Sequence, residues 1–152
     1  MKLRWLAFLL LAVAFFTSCE KNTVSKIPHI SLIRFGPDVI QVNLDTAFIE
    51  FSLTDGDADI GNDNTSQIYL KDTRYESAGF VKTPFPEIDG TIEDPKKGLQ
   101  GVCLFIPVPQ PTPRTDSLHM AVGDTMSYEI FIKDRAGNES NHIITNQIII
   151  TL

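Results

Sequence analysis

The chain has 152 residues, with 13 basic against 19 acidic side chains and a net charge of −6. That acid surplus excludes an electrostatic footprint for nucleic acid and opposes adhesion to an anionic lipid surface. The length suits one domain beside a targeting segment.

Lys2 and Arg4 make a short basic start, and Trp5 to Phe16 is an unbroken apolar run. At about 12 residues it falls short of the roughly 20 that span a bilayer as a helix. A basic start, a short apolar core and small residues before a cut site mark a secretory signal. Phe16-Thr17-Ser18-Cys19 resembles the lipobox of bacterial lipoproteins. The resemblance implies cleavage before Cys19 and lipid on that residue. The expected organisation is therefore a signal peptide over 1–18, a lipidated Cys19 with tether over 19–28, and a domain over 29–152. The expected location is the cell envelope, anchored by lipid to the membrane, with the outer membrane of a diderm bacterium as the favoured site.

Removing 1–18 from the 152 residues leaves 134, and takes Lys2 and Arg4 away. The mature balance is then 11 basic against 19 acidic groups, a net of about −8. With Cys19 lipidated, Cys103 has no cysteine left to pair with. It sits in the apolar run Val102 to Ile106 and is expected to be a buried, inert thiol.

Residues 20–28 are polar and read as a tether with a reach of roughly 30 Å at about 3.3 Å per residue. Beyond them no long segment has helical period. Short β-branched and aromatic runs alternate with Gly, Pro, Asp and Asn clusters. Weaker strand candidates are Ile30–Phe35, Val39–Leu44, Gln67–Lys71, Gly79–Lys82 and Leu99–Ile106. The clearest is Ala47–Thr54, where Ala47, Ile49, Phe51 and Leu53 share one face. In Met126–Lys133, Met126, Tyr128, Ile130 and Ile132 point one way. In His142–Leu152, Ile144, Ile148, Ile150 and Leu152 are expected together. About seven or eight strands in one domain predict an all-β sandwich. Residues 84–98 are turn-rich, with Asp89-Gly90 a tight-turn candidate, and the prolines of 107–113 favour an extended surface connection.

Two motifs tie these strands to a known architecture. Asp124-Thr125-Met126-Ser127-Tyr128-Glu129-Ile130 resembles the tyrosine corner of immunoglobulin-like sandwiches. Lys133-Asp134-Arg135-Ala136-Gly137-Asn138 is similar to the D-x-A-G-N hairpin between the last two strands of many bacterial immunoglobulin-like modules. There Gly137 and Asn138 tolerate positive φ, and the Asp134 carboxylate can cap the turn. Ile130 stands where antibody domains place a cysteine, so the resemblance is to a bacterial immunoglobulin-like or fibronectin-like domain. It implies an antiparallel sandwich, and it specifies a fold family rather than an activity.

The densest polar chemistry is Asp55-Gly56-Asp57-Ala58-Asp59-Ile60-Gly61-Asn62-Asp63-Asn64. Alternating acids on a glycine-containing loop can turn several oxygens inward, as Ca²⁺ requires. The EF-hand pattern does not fit, because Ile60 stands at its glycine position and Ser66 at its last glutamate. In an immunoglobulin-like topology the loops after Ala47–Thr54 and Met126–Lys133 leave the same end of the sandwich. Asp134 and Asn138 would then complete a structural Ca²⁺ site with Asp55, Asp57, Asp59 and Asp63. Asp72, about 17 Å up its strand at 3.4 Å per residue, should take no part. The alternative is a solvated acidic turn.

His29, His119 and His142 lack the spacing of a transition-metal site, and no catalytic fingerprint is present. Glu87, Asp89, Glu93 and Asp94 are the acids a glycosidase pair would draw on. Tyr69, Tyr75, Phe80 and Phe85 are either core residues or a binding platform. The reading is a non-catalytic, membrane-anchored surface lipoprotein that binds or adheres to a protein or glycan partner. The alternatives are a carbohydrate-active hydrolase using acidic loop residues, or a structural component of an envelope complex.

Overall fold

The computed structural model describes residues 24–61, 65–86 and 97–152. The expected signal segment, Cys19 and the expected Asp89-Gly90 turn lie outside these residues. Among the described residues, alternating apolar positions form ten short strands: β1 (His29–Gly36), β2 (Val39–Gln41), β3 (Phe48–Asp55), β4 (Gln67–Asp72), β5 (Val81–Pro84), β6 (Leu99–Phe105), β7 (Asp124–Met126), β8 (Tyr128–Lys133), β9 (Ile143–Ile144) and β10 (Ile148–Thr151). One helix among the described residues, α1 (Ser117–Val122), is capped by the Asp116 carboxylate and buries none of its residues. The all-β class read from the sequence is what the chain adopts.

The strands form three sheets with the orders β1-β3-β6, β5-β4-β8-β9 and β2-β10-β7. Between the first two sheets lies one sandwich-like core, in which Ile30, Phe51, Ile68, Ile130 and Ile132 are fully enclosed. Ala47, Ile49, Phe51 and Leu53 all face it, as their alternation requires. Cys103 is free and buried there, and burial pushes its thiol up to about 12.

Several details differ from the sequence expectation. The sheets are not wholly antiparallel, because β2 runs parallel to β10, pairing Val39, Ile40 and Gln41 with Ile149, Ile150 and Thr151. The chain turns at Pro37 and leaves the sheet of β1 for that of the last strand. β2 stops at Gln41, where Asp45 accepts the Gln41 amide and Asn43 takes φ 66. The final strand is broken between Ile144 and Ile148. At Thr145 the ladder is half made, since Thr145 N still donates to Tyr128 O but Tyr128 N donates to the Thr145 hydroxyl. The break changes the facing side chain, so Ile143 packs on the core and Ile144 is 66% exposed. Leu152 is also exposed, while Ile148 and Ile150 are fully buried as expected.

Three side-chain amides bond the backbone where strands have no neighbour. Asn141 bonds both N and O of Ile30, and Asn146 does the same for Phe35. Gln110 reaches Ala47, accepting its amide at 2.6 Å. Each amide side chain sets an N–H donor beside a carbonyl acceptor, so it mimics a strand neighbour for a single residue.

Candidate metal centre

β3 ends at Asp55, and the chain then makes a compact loop instead of a polar tip. Ala58 and Ile60 are buried in the core cluster, and Asp55 itself is fully buried. Ala58 takes φ 54, a left-handed conformation uncommon for a residue with a Cβ. Anchored at both apolar residues, the loop brings one carboxylate oxygen each of Asp55, Asp57 and Asp59 to within 4.8 Å of one another.

The three carboxylates divide their oxygens in the same way. Asp55 Oδ2 accepts the Asp59 amide at 2.9 Å. Asp57 Oδ2 lies 3.5 Å from Lys26 Nζ. Asp59 Oδ2 accepts the Ala136 amide at 3.1 Å. Among the described residues, the Oδ1 atom of each is buried and has no hydrogen-bond partner. A buried, unpaired carboxylate oxygen is expensive, and three together are a demand for positive charge.

The second loop is the hairpin after β8. Asp134 N donates to Asn138 O, and the Asp134 carboxylate accepts from both the backbone and the side-chain amide of Asn138. Gly137 adopts φ 88, whereas Asn138 keeps negative φ, so the turn needs only the glycine in the left-handed region. This hairpin docks on the Asp loop. Arg135 N and Nε both donate to Asp59 O at 3.0 Å, and an Arg135 terminal nitrogen donates to Ala58 O. The loops after β3 and β8 therefore meet at one end of the fold.

Charge accumulates accordingly. Burial, then the charges of Asp59, Asp57 and Asp134, push the Asp55 carboxyl up to about 6, against the relief of the Asp59 amide. Asp59 is also raised, by burial first and then by Asp134 and Asp57. Such a site favours a hard cation over zinc or copper, since its donors are carboxylates without thiolate or imidazole.

Of the residues singled out for the ion, Asp55, Asp57 and Asp59 come together, and Asp63 lies outside the described residues. Asp134 is close enough to act by charge, but its oxygens are engaged by Asn138. Asn138 spends its side-chain NH₂ on that carboxylate and closes the hairpin. Asp72 binds Arg74 instead, at 2.6 Å. Glu87, Asp89, Glu93 and Asp94 lie outside the described residues.

The aromatic residues separate. Phe85 is core. Tyr75 is exposed, with the Arg74 guanidinium over its ring. Tyr69 stacks on Phe131 at 4.4 Å between ring centroids, and Phe131 stacks on His142 at 4.5 Å. Phe80 meets Phe131 edge-on. Tyr69 and Phe80 thus belong to an aromatic row on the outer face of the β5-β4-β8-β9 sheet.

Two features carry no local signal in the sequence. One is Lys26 beside Asp57, from a segment that reads as tether. The other is Asp124, whose buried carboxylate accepts from Arg74 at 2.7 Å and from Arg114 through backbone and side chain. Arg74 lies 50 positions away in sequence, and only folding makes it a neighbour. The sequence matches no protein-family model and no curated protein.

Proposed function

We propose that this chain is an exported lipoprotein anchored through Cys19, carrying a calcium-stabilised, immunoglobulin-like sandwich that binds a protein or glycan at the cell envelope without catalysis. The outer membrane of a diderm bacterium is the proposed site. The observation that carries the calcium assignment is the set of three buried, unpartnered Oδ1 atoms of Asp55, Asp57 and Asp59. Oxygens bound to one Ca²⁺ at roughly 2.4 Å lie no more than about 4.8 Å apart, the span within which these carboxylates lie. The strand orders, the parallel pairing of β2 with β10 and the meeting of the loops after β3 and β8 support the immunoglobulin-like reading. An ion there would tie two loops of a domain whose Cys103 is unpaired.

Thermal unfolding of the mature protein in millimolar Ca²⁺ and in excess chelator tests the ion. At about 100 times its dissociation constant, Ca²⁺ should add about 2.7 kcal/mol, a rise of roughly 5–10 °C in Tm. Asp57→Asn with Asp59→Asn should abolish the rise. Superimposable melting curves would refute the calcium assignment. Loss of radiolabelled palmitate incorporation in Cys19→Ser tests the anchor separately.

A further inference from the structure

The Asp loop also holds the start of the described chain. Val24, Ser25, Lys26 and Ile27 are all exposed. The contacts that fasten them to the domain run to Gly56 and Asp57. Gly56 N donates to Ser25 O at 2.7 Å, and Lys26 Nζ lies 3.5 Å from Asp57 Oδ2. The approach at Gly56 is so close that a Cβ there would sit 2.2 Å from Val24 O and 2.6 Å from Ser25 O. Pro28, the next residue, is buried and belongs to the body of the domain.

Gly56 lies between two of the three converging carboxylates. The backbone path that turns Asp55 and Asp57 toward a common centre is the same path that presents the Gly56 amide to Ser25. Asp57 is divided between the two roles, with Oδ2 toward Lys26 and Oδ1 left for the triad. Without a cation, repulsion among the carboxylates works against that path. With one, the path is fixed.

We infer that cation binding by Asp55, Asp57 and Asp59 docks residues 24–27 onto the domain. The inference rests on the calcium reading above. The coupling is reciprocal, so whatever displaces residues 24–27 also weakens the cation.

The test uses the full mature protein in mild detergent, with Ca²⁺ alone as the probe. Isothermal titration reads binding. Digestion by a lysine-specific protease that needs no calcium, followed by mass spectrometry, reads cleavage of the Lys26–Ile27 bond. Ca²⁺ should bind and slow that cleavage about tenfold, since proteolysis tracks the population of the released segment. Asp59→Asn, which removes a ligand without touching residues 24–27, should lose both the binding and the protection. Gly56→Ala should cleave fast with or without Ca²⁺ and bind it more weakly; its melting curve reports whether it has folded. Calcium binding with an unchanged cleavage rate would overturn the inference and leave the calcium reading standing. Absence of calcium binding would overturn both.

Discussion

The side-chain amide of Asn146 holds Phe35 by both backbone atoms, with Nδ2 donating to its carbonyl at 2.8 Å and Oδ1 accepting its amide at 2.8 Å. Phe35 is buried on β1, and Asn146 sits in the break between β9 and β10. One side chain therefore joins the first strand to the last where no ladder does. Asn146→Ala should cost about 1–3 kcal/mol by leaving both Phe35 groups unpaired. Asn146→Asp keeps the acceptor but sets a carboxylate oxygen against the Phe35 carbonyl in place of the donor, so it should cost at least as much as alanine. Urea unfolding measures both, and a loss below about 0.5 kcal/mol for alanine would show that water replaces the clamp.

The same break decides which isoleucines matter. Ile148 is 0% exposed and Ile144 is 66% exposed. Ile148→Ala should cost about 2–5 kcal/mol, and Ile144→Ala less than about 0.5. Equal losses at the two positions would mean that the final strand runs unbroken, with its side chains alternating as one.

Asp124 makes a buried ion cluster with Arg74, whose side chain is 8% exposed. Burial works to raise its carboxyl, but hydrogen bonds from Arg114, Thr125 and Arg74 prevail and hold it well below the usual carboxylate range. A depressed folded-state value adds stability that is full above the unfolded carboxylate value and is lost as pH falls through the folded one. Asp124→Asn leaves Arg74 with Asp72 as its remaining carboxylate, takes the charge from the Arg114 pair, and should cost about 1–3 kcal/mol at neutral pH. Unfolding midpoints of the two proteins should converge in strong acid. A gap that stayed constant on acidification would remove the charge from the explanation.

His142 behaves in the opposite sense. Hydrogen bonds to Glu129 and Glu139 raise its imidazole above the ordinary 6.5. Its contribution is therefore full below the unfolded value and fades as pH rises through the higher folded value. The stability advantage of the native protein over His142→Gln should be largest near about pH 5.5 and shrink by about pH 9. Denaturant midpoints at the two pH values decide this. An advantage that grew with pH would reverse the assignment.

Much of the fold was legible along the chain. Alternation in Ala47–Thr54 placed Ile49, Phe51 and Leu53 on the core face, because side-chain period in a strand is a local property. The hairpin at Asp134 was legible because its cap and its glycine lie within five residues. Repeated acids at 55, 57 and 59 were likewise visible as a candidate site. The expected face of Ile144 failed where the Thr145 hydroxyl accepts the Tyr128 amide and the strand breaks, since alternation carries no mark of a partner elsewhere.

Sequence by itself determined the all-β class, the core faces of the long strands and the clustering of acids after β3. Each depends on residues that are near neighbours in the chain. Tertiary structure alone decided that Ala58 and Ile60 anchor the acidic loop, and that Lys26 and Arg135 meet it. It also decided that three of its oxygens end buried without partners. Burial and charge depend on what folds against a residue, and those neighbours come from distant positions.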